Sequence, residues 1–173
     1  ISAKLNNYEG AVSSYQEAIA IDPAYIKPRI NLGTLYIGMG EYDKALPILL
    51  EAYKYDPASL EVNNNLGNIY LKKKLYKDSI THYQKALIKA PTDPEIWYNL
   101  ALAHISNKNF EDSADALGKV ISIDPQFWDA YYQYGLLLFK EGRKEDGKKI
   151  FQSLLDKNPE YPKREEVEGF LSE

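Results

Sequence analysis

Apolar residues along this chain return at spacings of three and four, and each such stretch is closed by a glycine or a proline. Between residues 26 and 59, Leu32, Tyr36, Ala45, Leu49 and Ala52 lie on two stripes of this kind. The spacing predicts two amphipathic helices that pack through one seam. The first is expected over 26–38, ending at Gly38-Met39-Gly40, and the second over 41–55, ending before Asp56-Pro57. Glycine stops the first because it tolerates left-handed dihedrals. Proline bars continuation of the second and can open the next helix.

The same hairpin then repeats. Prolines stand at 23, 57, 91, 125 and 159, each 34 residues after the last. Glycines at 33, 67 and 135 keep that step, with Ala101 in the missing place. Leu32, Leu66 and Leu100 follow it and lead to Tyr134, while Ala18, Ala52 and Ala86 lead to Val120 and Leu154. Small residues recur at Ala11, Ala45, Ser79, Ser113 and Gly147, where two helix backbones must approach closely. One hairpin cannot bury both its faces, so the units are expected to stack.

These residues resemble the tetratricopeptide repeat (TPR), with its pattern of W-x2-L-G-x2-Y, Ala-x3-aromatic and a late proline. The stretches "NLGTLY", "NLGNIY" and "WYNLALAH" carry the resemblance. It implies an all-α, right-handed superhelical solenoid of antiparallel helix pairs with a 34-residue period. Units are expected at 1–25 (partial), 26–59, 60–93, 94–127 and 128–161, then a capping helix or the start of a further repeat at 162–173. The partial unit lacks most of its first helix and leaves apolar surface for a neighbour to cover. His104 and Leu138 stand where the family prefers tyrosine, and Gly147 where it prefers alanine. Pro47 falls inside a helix, where it brings a bend.

Asn31, Asn65 and Asn99 share one position, and Gln133 follows them. Asparagine costs a helix about 0.5–0.7 kcal/mol relative to alanine, so its return in register needs a reason. The resemblance implies that these side chains line the concave face as an amide ladder similar to that of the TPR region of O-linked N-acetylglucosamine transferase. An amide offers donors and an acceptor, and so does a peptide backbone. Helices pack about 8–10 Å apart, so one amide would meet roughly every third residue of an extended ligand. Asn68, Tyr98, Leu102, Tyr132, Leu136 and Phe139 are expected beside the row, where the apolar members would select ligand side chains. The other reading of the asparagines is that they are simply the repeat's common residue at this place.

Other chemistry is thinly represented. The net charge of −4 argues against a nucleic-acid partner recognised by bulk charge, and no apolar run is long enough to insert into a membrane. The chain has no cysteine. His82 and His104 have no partner at a ligating spacing, so no metal and no cofactor is expected. "GRKEDGKK" (142–149) mimics a phosphate loop but has Lys149 where a hydroxyl is needed. The two-carboxylate clamp of chaperone-binding TPR domains is not expected either, because Glu61, Glu95 and Asp129 occupy its lysine position. These acids suggest a neutral or mildly basic ligand edge, or else a solvated rim near helix N-termini.

The sequence therefore reads as a non-catalytic module binding an extended segment of a protein or peptide partner. One alternative is an assembly scaffold, or a homo-oligomer, working through the convex face or the open N-terminal end. Another is the targeting arm of a larger enzyme. The chain begins at Ile1 without an initiator methionine and reads as a fragment, with the cytoplasm slightly favoured as its setting.

Overall fold

The computed structural model describes the backbone of residues 2–172 and the side chains of residues 8–172. Among the described residues there are ten helices and no strand. They are α1 (Ser2–Ile21), α2 (Lys27–Gly38), α3 (Tyr42–Tyr55), α4 (Leu60–Lys72) and α5 (Tyr76–Lys89), then α6 (Pro94–Ser106), α7 (Phe110–Ile123), α8 (Trp128–Lys140), α9 (Lys144–Lys157) and α10 (Arg164–Ser172). The chain divides into two compact units, Ile1–Pro91 and Thr92–Glu173. The first holds the hairpins α2–α3 and α4–α5 with α1 before them. The second holds α6–α7 and α8–α9 with α10 after them.

Each hairpin closes through the expected seam. Leu49, Tyr83, Leu117 and Phe151 occupy the same place on successive second helices, and all are fully buried. Each such side chain contributes roughly 1.5–3 kcal/mol of burial. The facing residue on the first helix must be small. A Cβ on Gly33 would stand 2.5 Å from Leu49 Cγ, and one on Gly67 would stand 2.7 Å from Tyr83 Cδ1. Gly135 meets the ring of Phe151 in the same way. Opposite Leu117 the chain has room for Ala101. Two serines at the small-residue position add a bond: Ser79 Oγ donates to the Gly67 carbonyl at 2.9 Å and Ser113 Oγ to the Ala101 carbonyl at 3.0 Å.

The first helix of every hairpin ends in one way. Gly40, Lys74, Lys108 and Gly142, again 34 residues apart, all have positive φ, between 61° and 76°. The next residue's N–H reaches back along the helix, as from Glu41 to the Tyr36 carbonyl (2.8 Å) and from Leu75 to the Tyr70 carbonyl (2.9 Å). This is a Schellman closure, which satisfies carbonyls that the helix end would strand.

The second helix of each hairpin ends at an Asp-Pro, Ala-Pro or Asn-Pro turn, and here the structure shows a device that the repeat spacing does not reveal. Six residues past the proline, a side chain returns to the proline's carbonyl. Arg29 Nη1 donates to Pro23 at 2.5 Å, Asn63 Nδ2 to Pro57 at 2.9 Å and the Tyr131 hydroxyl to Pro125 at 3.3 Å. Three chemically unlike residues do the same job, so the position is invisible to a search for repeated letters.

Where it departs from the repeat, at Pro47 and at either end, the chain is still helical. Pro47 lies inside α3, as expected, and the helix runs through it from Tyr42 to Tyr55. The partial first unit appears as one continuous helix, α1; the side chains of residues 1–7 lie outside the described residues. α10 does not repeat the face of the other first helices. It buries Val167 with Phe170 and Leu171 packed beside it, and leaves Glu168, Gly169 and Ser172 exposed at the places of leucine, glycine and tyrosine.

Candidate functional site

In the first unit the asparagines come from α2 and α4, which touch. Asn65 Nδ2 donates to Thr34 Oγ1 at 2.8 Å, and Thr34 Oγ1 passes a bond to the Ile30 carbonyl at 2.9 Å. Asn65 thus keeps its carbonyl oxygen and its second N–H without a partner among the described residues. Asn31 is half-buried and lines an open cleft of about 450 Å³ with Tyr8, Tyr15, Thr34, Leu35 and Gly38. In the second unit Asn99 and Gln133 are both half-buried.

The neighbours of the row are more committed than their spacing implied. Asn68 Oδ1 accepts the hydroxyl of buried Tyr83 at 2.7 Å. Burial raises the pKa of Tyr83 well above the ordinary phenol value, so it remains a donor there. Asn63 is fully buried, with Nδ2 on the Pro57 and Ser59 carbonyls and Oδ1 2.9 Å from His82 Nδ1. Its cost to the helix is met by the turn it ties, not by a ligand. Asn64 Oδ1 is buried without a hydrogen-bond partner.

The aromatic residues divide. The Tyr98 ring is half-buried 4.9 Å from that of Phe127, and its pKa is pushed up to about 12, by burial first and then by the Asp129 carboxylate. Leu102 and Leu136 are half-buried. Tyr132 is corrected. It is only 4% exposed, gives its hydroxyl to Glu166 Oε1 at 2.7 Å and carries Lys163 Nζ 4.1 Å above its ring. Burial and the Glu166 carboxylate push its pKa up to about 12. Phe139 is likewise drawn inward, 4.9 Å from Phe170 and 5.7 Å from Phe151 between ring centres. Both are used to seat α10, because that helix brings Val167, Phe170 and Glu166 onto the face where they lie.

The acidic edge is also partly engaged. Glu61 pairs with Lys27 at 3.1 Å, and Asp129 accepts the Tyr161 hydroxyl at 3.0 Å. The pKa of Glu61 is lowered, mainly by its backbone hydrogen bond and then by Lys27. Both histidines sit in packing roles. His82 stacks on Tyr70 at 5.3 Å, and His104 is buried with Asp112 3.6 Å from Nδ1. No group of metal-ligating side chains is found among the described residues, and none of their helices is long and apolar enough to cross a membrane.

Comparison with known proteins agrees with this architecture. No curated protein sequence matches that of this chain. Among solved structures, the crystal structure of MamA superposes with a TM-score of 0.86 at 25% identity, covering 93% of this chain and 94% of MamA. MamA 41-end from Desulfovibrio magneticus RS-1 gives 0.83 at 19% identity, covering 89% and 87%. YrrB, described as a TPR protein with an unusual peptide-binding site, gives 0.77 at 21% identity, covering 87% and 77%. Models of the tetratricopeptide repeat match residues 30–94, residues 3–52 with 104–166, and residues 82–115. With all-α hairpins repeating every 34 residues and these matches over most of its length, the chain belongs to the tetratricopeptide-repeat family.

Proposed function

We propose that the chain is a non-catalytic recognition module that holds an extended segment of a partner protein against its first helices. Each unit presents its own amides, Asn31 and Asn65 in one, Asn99 and Gln133 in the other. The observation that carries this reading is the spare capacity of the row: Asn65 spends one N–H on Thr34 and retains an acceptor and a donor. A ligand backbone offers the matching pair at each residue. Tyr98, Leu102 and Leu136, all half-buried, supply apolar contact in the second unit. The peptide-binding site named for YrrB supports the same class of function.

The amides alone give modest affinity. Each net hydrogen bond contributes about 0.5–1.5 kcal/mol, so two of them alter binding by roughly 5- to 150-fold. The test is to select extended peptides from a display library against the chain and titrate the best binder. Changing Asn65 and Asn99 together to alanine should weaken it by at least about fivefold with helicity unchanged. Equal affinity in the double variant would discard the reading.

A further inference from the structure

Asn65 does not stand free in the row. Its Nδ2 donates from α4 across to Thr34 Oγ1 on α2, at 2.8 Å. Thr34 lies one turn past Ile30 and spends its hydroxyl proton on the Ile30 carbonyl at 2.9 Å, a bond that helical threonines make readily. A hydroxyl has one proton and two lone pairs, so this oxygen can only accept from Asn65. With the amide turned over, its carbonyl oxygen would face those lone pairs and one of the two bonds would be lost. The relay from Asn65 through Thr34 to Ile30 therefore fixes which arm of the amide is nitrogen and which is oxygen. The nitrogen lies toward α2, and the oxygen on the other side of Cγ, away from it. The edge left for a ligand is Oδ1 beside the second N–H, an acceptor and a donor in a set order. Thr34 is itself exposed, so the relay sits at the surface. In the second unit Leu102 holds the place of Thr34, and a leucine cannot orient Gln133 in this way.

We propose that Thr34 is a positioning residue of the amide row, and that through Asn65 it sets the direction in which an extended ligand lies. This rests on the reading of the row as a site for an extended segment. An extended residue turns its own N–H and C=O to one side of the chain, as paired strands do. To meet both atoms of the Asn65 edge, its N–H must lie on the oxygen side, away from α2, and its C=O on the nitrogen side, toward α2. The ligand then runs, from its N-terminus to its C-terminus, in the direction from α4 to α2. A segment of opposite direction sets N–H against N–H and oxygen against oxygen at Asn65, and is rejected by the groups left unpaired.

The test takes the best binder from the display selection and replaces one backbone amide at a time by an ester. An ester has no N–H, so at the residue that meets Asn65 it sets oxygen against Oδ1. That replacement should weaken binding by about fivefold or more in the parent protein, and by no more than about twofold in Asn65→Ala, which identifies the residue. Thr34→Val keeps the branched shape and removes the hydroxyl, so the amide is released to turn over and offer its nitrogen to the ester. The penalty should then fall to about twofold or less, although Thr34 does not touch that N–H. Thr34→Ser keeps a hydroxyl and should keep the full penalty. A nitroxide at the C-terminus of the peptide should broaden the amide signals of α2 more than those of α4, and one at the N-terminus the reverse. The full penalty persisting in Thr34→Val, its loss in Thr34→Ser, or a nitroxide pattern of the opposite sense would overturn the proposal and leave the row's reading intact. Binders that are indifferent to Asn65→Ala would instead overturn the reading of the row, and the role of Thr34 with it.

Discussion

Gly67 lies so close to the ring of Tyr83 that a Cβ on it would stand 2.7 Å from two ring carbons. The ring is fully buried and its hydroxyl is held by Asn68, so it has nowhere to retreat. Gly67→Ala is expected to destabilise the fold by about 1–2 kcal/mol, because overpacking outweighs a helix-propensity gain of at most about 1 kcal/mol. Gly118 is the control: it is helical, and nothing lies within 4 Å of its would-be Cβ. Gly118→Ala should therefore stabilise, by up to about 1 kcal/mol. Urea unfolding of the two variants should move the midpoint in opposite directions.

Lys74 and Lys108 adopt φ of 61° and 64° where the other two hairpins have glycine. A left-handed residue with a Cβ carries a cost of about 1–2 kcal/mol, partly offset by the larger entropy that glycine loses on folding. Neither lysine is buried. Lys74→Gly and Lys108→Gly should each raise stability by about 0.5–1 kcal/mol and should add when combined, which thermal melts of the three variants will check.

The side-chain ties to the proline turns should differ in strength. Asn63 is fully buried and bonds two carbonyls and His82. Asn63→Ala strands those groups and should cost about 2–4 kcal/mol. Tyr131→Phe removes one longer bond to Pro125 together with a contact from Lys157 Nζ at 2.8 Å, and should cost about 0.5–1.5 kcal/mol. Chemical denaturation that ranks the two equally would remove the distinction between a tie made of several short bonds and one made of a single longer bond.

Acid should weaken the first unit through His82. Its pKa in the folded chain is lowered to about 4 from the ordinary 6.5, by burial first and then by the charge of Lys85. Below pH 6.5 the unfolded chain takes up a proton that the folded chain refuses, so stability falls as pH drops and the loss levels off near pH 4. His82→Gln should flatten the difference in melting temperature between pH 6.5 and pH 4, relative to the parent protein. His104, also lowered by burial, acts in the same direction and remains in both proteins, so the comparison isolates His82.

The hairpins were legible in the sequence because periodicity reports burial directly. Helices expected over 26–38 and 41–55 lie at Lys27–Gly38 and Tyr42–Tyr55, and Leu32, Ala45, Leu49 and Ala52 are in the core with Tyr36 packed against it. The side-chain assignments were harder to read, because one helical face serves both neighbours and solvent. Asn63 and Asn65 are two residues apart, yet the first ties a turn and the second leans on Thr34. Tyr132 has a groove position by register, but α10 departs from the repeat and covers it, which no column of letters foretells. The ties to the proline carbonyls went unread because arginine, asparagine and tyrosine perform one task with different atoms.

The match within each hairpin between the buried side chain of the second helix and the small residue facing it also limits how the chain can be recombined. A first helix bearing Ala101 is cut to fit Leu117, and one bearing Gly135 is cut to fit Phe151. Grafting a lone helix from one repeat into another would leave either a gap or a collision. Whole 34-residue blocks carry lock and key together, so they are the pieces that duplication or chimera building can shuffle without repair.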